Sequence, residues 1–464
     1  MKTSRHILCF DLGTTNIKAV LIDEDGRTVT VARRRMPSET SALGRSELTA
    51  EAFEKLIADL TADVARASES GLTHTMAVTF ATQANSFILL DRHDEPLTPI
   101  ILWPDARARG ADEPINRLAE FRAITGVPKL DFEFMPAKLR WLREHAPAKW
   151  AKTRRICGIG DYLAMCLCGE HVTEAGGAAL TGLMNAPLLE WWPCGLEALE
   201  VRESWLPRIV RAGTDVGPIR PEAADRLGLP SGIRVIVGCL DQYAGAIGVG
   251  CVAQGRMAES TGTVLAVLCL AGEWRDDLPG DVFQGPAFDG NLYFRMAYSY
   301  TSANLLEWYR ERLAGLPSFE SLDALAALEP AGAGGLAIES IEQAGSIEQC
   351  FKNVESSHTP GQVVRAIMER VAQSLEELRG SLGVGLMNKI RSAGGAARSN
   401  LWLQIKADVL QSPVAASASP EPTSLGAAML AARALGWGEM PDLAFHWCRV
   451  RKLFQPREHA QGAV

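Results

Sequence analysis

The residue types that handle phosphate gather in a few short segments of this sequence. In DLGTT, residues 11–15, Asp11 closes an apolar run, Gly13 lets the backbone come close to a ligand, and Thr14 and Thr15 offer hydroxyl and amide donors. A turn of this make suits a phosphate chain with its magnesium ion, and Lys18 on the exit side adds a cation. Gly262 and Thr263 form a second small turn that can supply donors from the opposite side, while Gly394 and Gly395 offer bare backbone against which a base or ribose can lie. Between these segments stands Asp241, where an apolar run meets a glycine-spaced one. A carboxylate there either accepts a proton from an attacking hydroxyl or caps a helix.

These side chains need elements to hold them. The first forty residues read as a strand meander: ILCFDLG, NIKAVLID, a turn at EDG, then RTVTVARRR. Phe53, Leu56, Ile57, Leu60 and Val64 recur at three- and four-residue spacing and predict an amphipathic helix over 50–69. Strand-like runs at 75–80 and 87–90 follow, so strands alternate with helices and the core is α/β. A more irregular middle, 108–234, with helices near 136–144 and 162–168 among Pro- and Trp-rich loops, reads as an insertion beside that core. The chain then starts again: IRVIVG is a buried-strand run, and RMAESTGTVLAVLCL enters and leaves a Gly/Thr turn as the first segment does. Two related domains facing one another explain the echo. Later, 360–382 reads as a long helix, AGGAARSNLWLQIKADVL as a glycine turn into a helix, and SLGAAMLAARALG as a small-residue helix suited to close packing.

At 464 residues the chain is long enough for two or three domains. Its 47 basic residues stand against 55 acidic ones, a formal charge of −8, which leaves no electrostatic footprint for nucleic acid. The longest apolar stretch, 264–272, is about half of the roughly 18 residues that suggest a membrane span. The first residues lack the apolar core and cleavage site of an export signal. Ten scattered cysteines, several inside apolar runs, fit reduced thiols in a cytoplasmic setting. Cys157, Cys166 and Cys168 lack the paired spacing of a zinc site and read as buried thiols.

Taken in order, DLGTT, GCLDQ with its GAIGVG tail, STGTV, AGGAARSNLWLQIKADVL and EPTSLGAAMLAA resemble the motifs of the FGGY family of carbohydrate kinases, over almost the whole chain. The resemblance implies an α/β fold of two actin-like ATPase (ribonuclease H-like) domains flanking a central cleft. The sugar would lie mostly on an N-terminal domain, 1–245, and ATP mostly on a C-terminal domain, 246–440, with a tail at 441–464. It further implies transfer of the γ-phosphoryl group of MgATP to a sugar hydroxyl. Carried onto this sequence, Asp241 matches the family's catalytic base and Asp11 its magnesium-associated carboxylate, both being candidate contacts of Mg²⁺, directly or through water. Gly13, Thr14 and Thr15 with Gly262 and Thr263 match the phosphate loops, joined by Lys18. Gly394, Gly395, Ser399 and Gln404 match the adenosine side, and Glu421 precedes LGAA at the family's usual offset.

The segment ATQANSFILLD followed by ILWPDARAR resembles the family's sugar-side segments, in which a Gln precedes two substrate-contacting positions and a Trp-x-Asp-x-Arg run follows. Gln83 fits that pattern. The next two positions are Ala84 and Asn85, where xylulose kinases of the family typically carry Met-His and glycerol kinases Arg-Glu, so neither specificity transfers. Ala84 leaves space and the Asn85 amide can donate to and accept from hydroxyls. Trp103 can stack on a sugar face, Asp105 can accept from hydroxyls and Arg107 can hold either in place; the other reading is a core Trp and a local Asp–Arg pair. Gln242, beside the base, is a further candidate contact, and Thr173 and Glu174 are given no role beyond shaping the domain.

The sequence therefore reads as an ATP-dependent kinase of a free ketose, a pentulose or hexulose, with a sugar alcohol as the next substrate class. A non-catalytic nucleotide or sugar sensor and a nucleotide hydrolase are the rivals. Its expected partners are the sugar and ATP, and the resemblance also allows a homodimer. The terminal REHAQGAV, 457–464, is expected to fray.

Overall fold

The computed structural model describes residues 4–40, 44–110, 114–385 and 389–457. Strands β1 (His6–Leu12), β2 (Asn16–Asp23) and β3 (Thr28–Arg35) form an antiparallel meander in which Leu12 stands opposite Ile17 across the first Gly/Thr turn. Every residue of β1 is buried, as befits a central strand covered on both faces. Helix α1 (Ala50–Ala67) starts where Thr49 accepts from the Ala52 amide, and it turns Phe53, Leu56, Ile57, Leu60 and Val64 inward. Strand β4 (Thr75–Thr82) then returns parallel to β1. Strands β5 (Asp215–Pro218), β6 (Arg234–Ile236) and β7 (Cys239–Leu240) complete the sheet in the order β5-β6-β4-β1-β2-β3, with β7 also on β4. Helix α2 (Asp241–Gly248) follows β7 directly.

The second half repeats the plan. Strands β8 (Arg256–Thr261), β9 (Leu265–Ala271), β10 (Phe283–Pro286) and β11 (Tyr293–Ser299) pair antiparallel around the second turn, with Thr261 opposite Leu265. Helix α3 (Pro360–Ser381) opens on a capping box between Thr359 and Gln362. Strand β12 (Lys389–Ala393) then runs parallel to β8, helix α4 (Asn400–Leu410) follows, and β13 (Val414–Ser417) runs parallel to β12. In both sheets three antiparallel strands lead into a parallel return, β3-β2-β1-β4 in one and β11-β9-β8-β12 in the other. The repeated Gly/Thr turn is thus the trace of a repeated domain.

Helix α5 (Pro422–Ala434) belongs by sequence to the second half yet packs on β1 and β4 of the first, and along α2. At that crossing the backbones nearly touch: a Cβ at Gly248 would lie 1.8 Å from the Pro422 carbonyl oxygen, and one at Gly426 would lie 1.9 Å from that of Ala244.

Two expectations are corrected here. The irregular middle is not wholly an insertion, because β5 forms an edge of the main sheet. The segment from 441 is not a tail: α6 (Met440–Trp447) and β14 (Val450–Phe454) follow, and β14 pairs antiparallel with β13. Arg457 pairs with Asp408, its Nε 2.9 Å from Oδ2, while 458–464 lie outside the described residues. The cysteines are free thiols; Cys157 is buried, whereas Cys166 and Cys168 are only half-buried. Among the described residues no helix is long and apolar enough to cross a membrane.

Candidate active site

A cavity of about 590 Å³ lies between the two sheets, lined by Asp11 and Lys18 from the first, Asp241 and Gln242 from α2, Glu259 from the second, Gly394 and Gly395 just after β12, and Glu421 at the start of α5. Asp11 emerges near the end of β1 because the buried strand stops at the Gly13 turn. Burial raises its pKa, and Lys18, with Nζ 3.3 Å from Oδ2, opposes that rise. Lys18 also lies 2.5 Å from Glu421 Oε2, and Arg33 reaches the other oxygen at 3.3 Å, so three charges from one half and one from the other meet at the cleft.

Asp241 is the first residue of α2, and its Oδ1 accepts from the Gln242 amide at 2.7 Å. Burial, then the negative charge of Asp11, push its pKa up to about 7. A carboxyl tuned to that range takes or gives a proton near neutrality. Asp241 does not cap the helix, since the cap position is Leu240 and no side chain accepts a capping hydrogen bond there; it opens the first turn with its carboxylate facing the cavity.

The first turn is tied to the segment 83–103. The Trp103 indole Nε1 donates to Thr14 Oγ1 at 2.7 Å, Gln83 Nε2 donates to the Leu12 carbonyl at 3.3 Å, and Ser86 Oγ donates to Gln83 Oε1 at 3.0 Å. Buried Lys138 fixes this segment by donating to the carbonyls of Trp103 at 2.7 Å and Glu133 at 2.5 Å, and burial pushes its pKa down to about 7. Thr15 and Thr263 stand exposed at the two turn tips, and Ser302 Oγ steadies the second turn by donating to the Gly262 carbonyl at 2.8 Å.

Several sequence expectations shift at this level. Asn85 sits in the left-handed region with φ 61°, and both ends of its amide are engaged by backbone: Oδ1 accepts from the Met135 amide at 3.0 Å and Nδ2 donates to the Leu180 carbonyl at 3.4 Å. It braces two loops. With Gln83 and Ala84 it borders a smaller cavity of about 50 Å³, which Asp161 and Thr173 also line.

Asp105 is fully buried and accepts from the Ser46 amide at 2.7 Å and from Arg107 Nε at 2.7 Å, while Arg107 also pairs with Glu47. Burial alone would raise the Asp105 pKa; the Arg107 and Ser46 hydrogen bonds outweigh it and hold it below the usual range. These two residues are the local Asp–Arg pair, and neither lines either cavity.

After the glycine turn, Ser399 caps α4 by accepting from the Trp402 amide at 3.0 Å. Gln404 turns outward to Asp408 at 2.9 Å and the Gln455 carbonyl at 2.8 Å, so it anchors the segment after β14 and does not face the cavity. The lining there comes from Arg398, Ser417, Ser419, Thr423 and Arg451, none of which the sequence reading singled out. Arg398 could have been found from its place just after the glycine turn. Arg451 could not, because it arrives on an edge strand distant in sequence. Glu174, given no role, accepts from the Gly176 and Gly177 amides at 2.7 and 2.8 Å; burial pushes its pKa up to about 7.

Gly13, Thr14, Thr15, Gly262 and Thr263 are not among the residues lining this cavity, but two sheets of one repeated plan with the cavity between them fit the architecture of an actin-like ATPase-type kinase. Residues 6–248 match the N-terminal domain model, and residues 260–435 the C-terminal domain model, of the FGGY family of carbohydrate kinases, and the chain belongs to that family. It is 27% identical over 468 residues to the xylulose kinase of Bacillus subtilis, covering 98% of this chain and 93% of that protein. It is 28% identical over 460 residues to the L-fuculokinase of Salmonella typhi, covering 94% of each. The solved xylulose kinase from Rhodospirillum rubrum superposes with a TM-score of 0.86 at 26% identity, covering 98% of this chain and 95% of that one. The chain is a sugar kinase, an enzyme class that draws its phosphoryl group from ATP.

Proposed function

We propose that this kinase phosphorylates a free ketose, a pentulose or hexulose, with Asp241 as the general base. The observation that carries the reading is Asp241 itself, at the first turn of α2 in the same cavity as Asp11, with a pKa raised to about 7 by burial and by that neighbour. A sensor has no use for a proton acceptor so placed. The ketose follows from the similarity to xylulose kinases, whereas the Ala84–Asn85 pair leaves the sugar's identity to experiment.

In this reading residues up to about 245 hold the sugar and those from there to about 440 hold ATP. Asp241 orients the attacking sugar hydroxyl and takes its proton as the new O–P bond forms and the bond between the γ-phosphorus and the bridging oxygen of ATP breaks, with ADP as the leaving group. The amides of the two turns, with Lys18, receive the phosphate oxygens, because phosphoryl transfer asks chiefly for positioning and charge stabilisation. Asp11 and Asp241 are fitted to hold Mg²⁺ together with phosphate oxygens: two carboxylates face one cavity, and the Asp11 charge raises the Asp241 pKa. When bound, the ion neutralises charge on the transferring group.

The test is coupled ADP release with MgATP across ketopentoses, ketohexoses, polyols, glycerol and sugar acids, with a no-sugar blank. Turnover far above the blank for a ketose is expected. Hydrolysis independent of sugar would overturn the reading, and turnover confined to a polyol or a sugar acid would overturn the ketose.

A further inference from the structure

Beneath the second phosphate turn, side chains from three elements form a closed polar network that the roles above do not use. Glu259 on β8 and Lys406 on α4 are both fully enclosed, with Lys406 Nζ 2.7 Å from Glu259 Oε1. The same ammonium donates to Thr261 Oγ1 at 2.7 Å, Thr261 Oγ1 donates to Glu259 Oε2 at 2.8 Å, and Ser392 Oγ on β12 donates to Glu259 Oε1. The parallel register sets Ser392 directly beside Glu259.

This network lies at the seam of the nucleotide side. Glu259 and Ser392 border the large cavity. One residue past β12, Gly394 takes φ +81°, and a Cβ there would fall 2.8 Å from the Thr261 carbonyl oxygen and 3.0 Å from Ser260 Oγ. Thr261, the residue that opens the second turn, is therefore held by Lys406 of α4 and by Glu259, which Ser392 of β12 steadies in turn, with the glycine loop close against its backbone.

A buried ion pair seldom stabilises a fold more than two apolar side chains of similar volume would, because desolvation offsets the attraction. What it does supply is fixed geometry: carboxylate and ammonium accept only a few arrangements of their hydrogen-bond partners. We propose that Glu259 and Lys406 are positioning residues for the nucleotide, locking the phosphate turn after β8 to the glycine turn after β12 and to α4. The inference rests on the ATP-side reading above. Neither residue acts on the sugar, so their removal changes nucleotide binding and leaves sugar binding as it was.

The test compares the full-length chain with Lys406→Met, with the double variant Glu259→Leu/Lys406→Met, and with Ser392→Ala. Readouts are the melting midpoint, calorimetric binding of MgADP, and KM for ATP and for whichever sugar the panel turns over. Lys406→Met alone strands the Glu259 carboxylate and lowers the midpoint. The double variant regains most of it yet binds MgADP about tenfold more weakly, with KM for ATP raised to match and KM for sugar unchanged. Ser392→Ala keeps the ion pair and the midpoint, loses one hydroxyl and weakens MgADP several-fold. Wild-type MgADP affinity in the double variant overturns the proposal, as does wild-type affinity in Ser392→Ala should the double variant fail to fold. A wild-type chain that binds MgADP but shows no sugar-stimulated turnover sinks the kinase reading alone, since MgADP binding across the variants still decides the positioning role.

Discussion

Asp241 is where chemistry and stability pull in opposite directions. With its carboxyl raised to about 7, it carries a proton at lower pH and cannot accept one from a sugar hydroxyl. The expected profile of kcat/KM falls about tenfold per pH unit below about 7 and levels off above it; Asp241→Asn removes that limb along with most turnover, while MgADP binding persists. The same shift sets a stability slope. Unfolded, the group ionises near 4, so between about pH 4 and 7 the native state holds the extra proton and stability declines as pH rises. Asp241→Asn should therefore raise the melting midpoint more at pH 8 than at pH 5; a gain that does not grow with pH would contradict the raised pKa. Asp105 behaves differently, since Asp105→Ala leaves the Arg107 guanidinium without its main buried partner and should destabilise the fold by about 3 kcal/mol, read as a lowered melting midpoint. Residues at turns and strand ends, such as Asp11, Gly394 and Asp241, were legible in the sequence because their types break an apolar run. The hydrogen bonds of Asn85, Asp105 and Gln404 to Met135, Ser46 and Gln455 were not legible because those partners lie far off in sequence, whereas the Asp105–Arg107 pair, two residues apart, was one of the two readings the sequence offered.

At the scale of elements, period and punctuation did most of the work. The Phe53-to-Val64 spacing marked α1, and the Gly/Thr turns marked both meanders, because each turn interrupts an apolar run. What the pattern could not show was which sheet a short piece joins: β5 and β14 are only four and five residues long, and their pairing is decided by tertiary contact. The small residues of SLGAAMLAARALG announced close packing without saying against what. The answer is the Gly248–Gly426 crossing of α2 and α5. In an exposed helix, glycine to alanine is favourable by about 1 kcal/mol. Here the added methyl meets a carbonyl oxygen at 1.9 Å, so Gly426→Ala should instead cost about 3 kcal/mol, and an unchanged or higher melting midpoint would show that the helices stand further apart.

The whole molecule is two copies of one sheet plan joined through that crossing, with the charged residues that line the cavity divided between them. Asp11 and Lys18 belong to the first half, Glu421 and the glycine loop to the second, and Lys18 with Arg33 already bridges to Glu421 across the cleft. Water that enters the cavity of about 590 Å³ reaches the same carboxylate that an acceptor hydroxyl must reach. Water is a competing acceptor for the same base. Efficient transfer then requires that the sugar bring the halves together, excluding water as it completes the site. Small-angle scattering should show the radius of gyration contracting on the order of 1 Å when sugar joins MgADP, and little change with MgADP alone. ATP hydrolysis without sugar should correspondingly run at least about 100-fold below sugar turnover. If nucleotide alone contracts the molecule fully while sugar-free hydrolysis stays low, exclusion of water is built into the ATP half and the sugar is not the trigger.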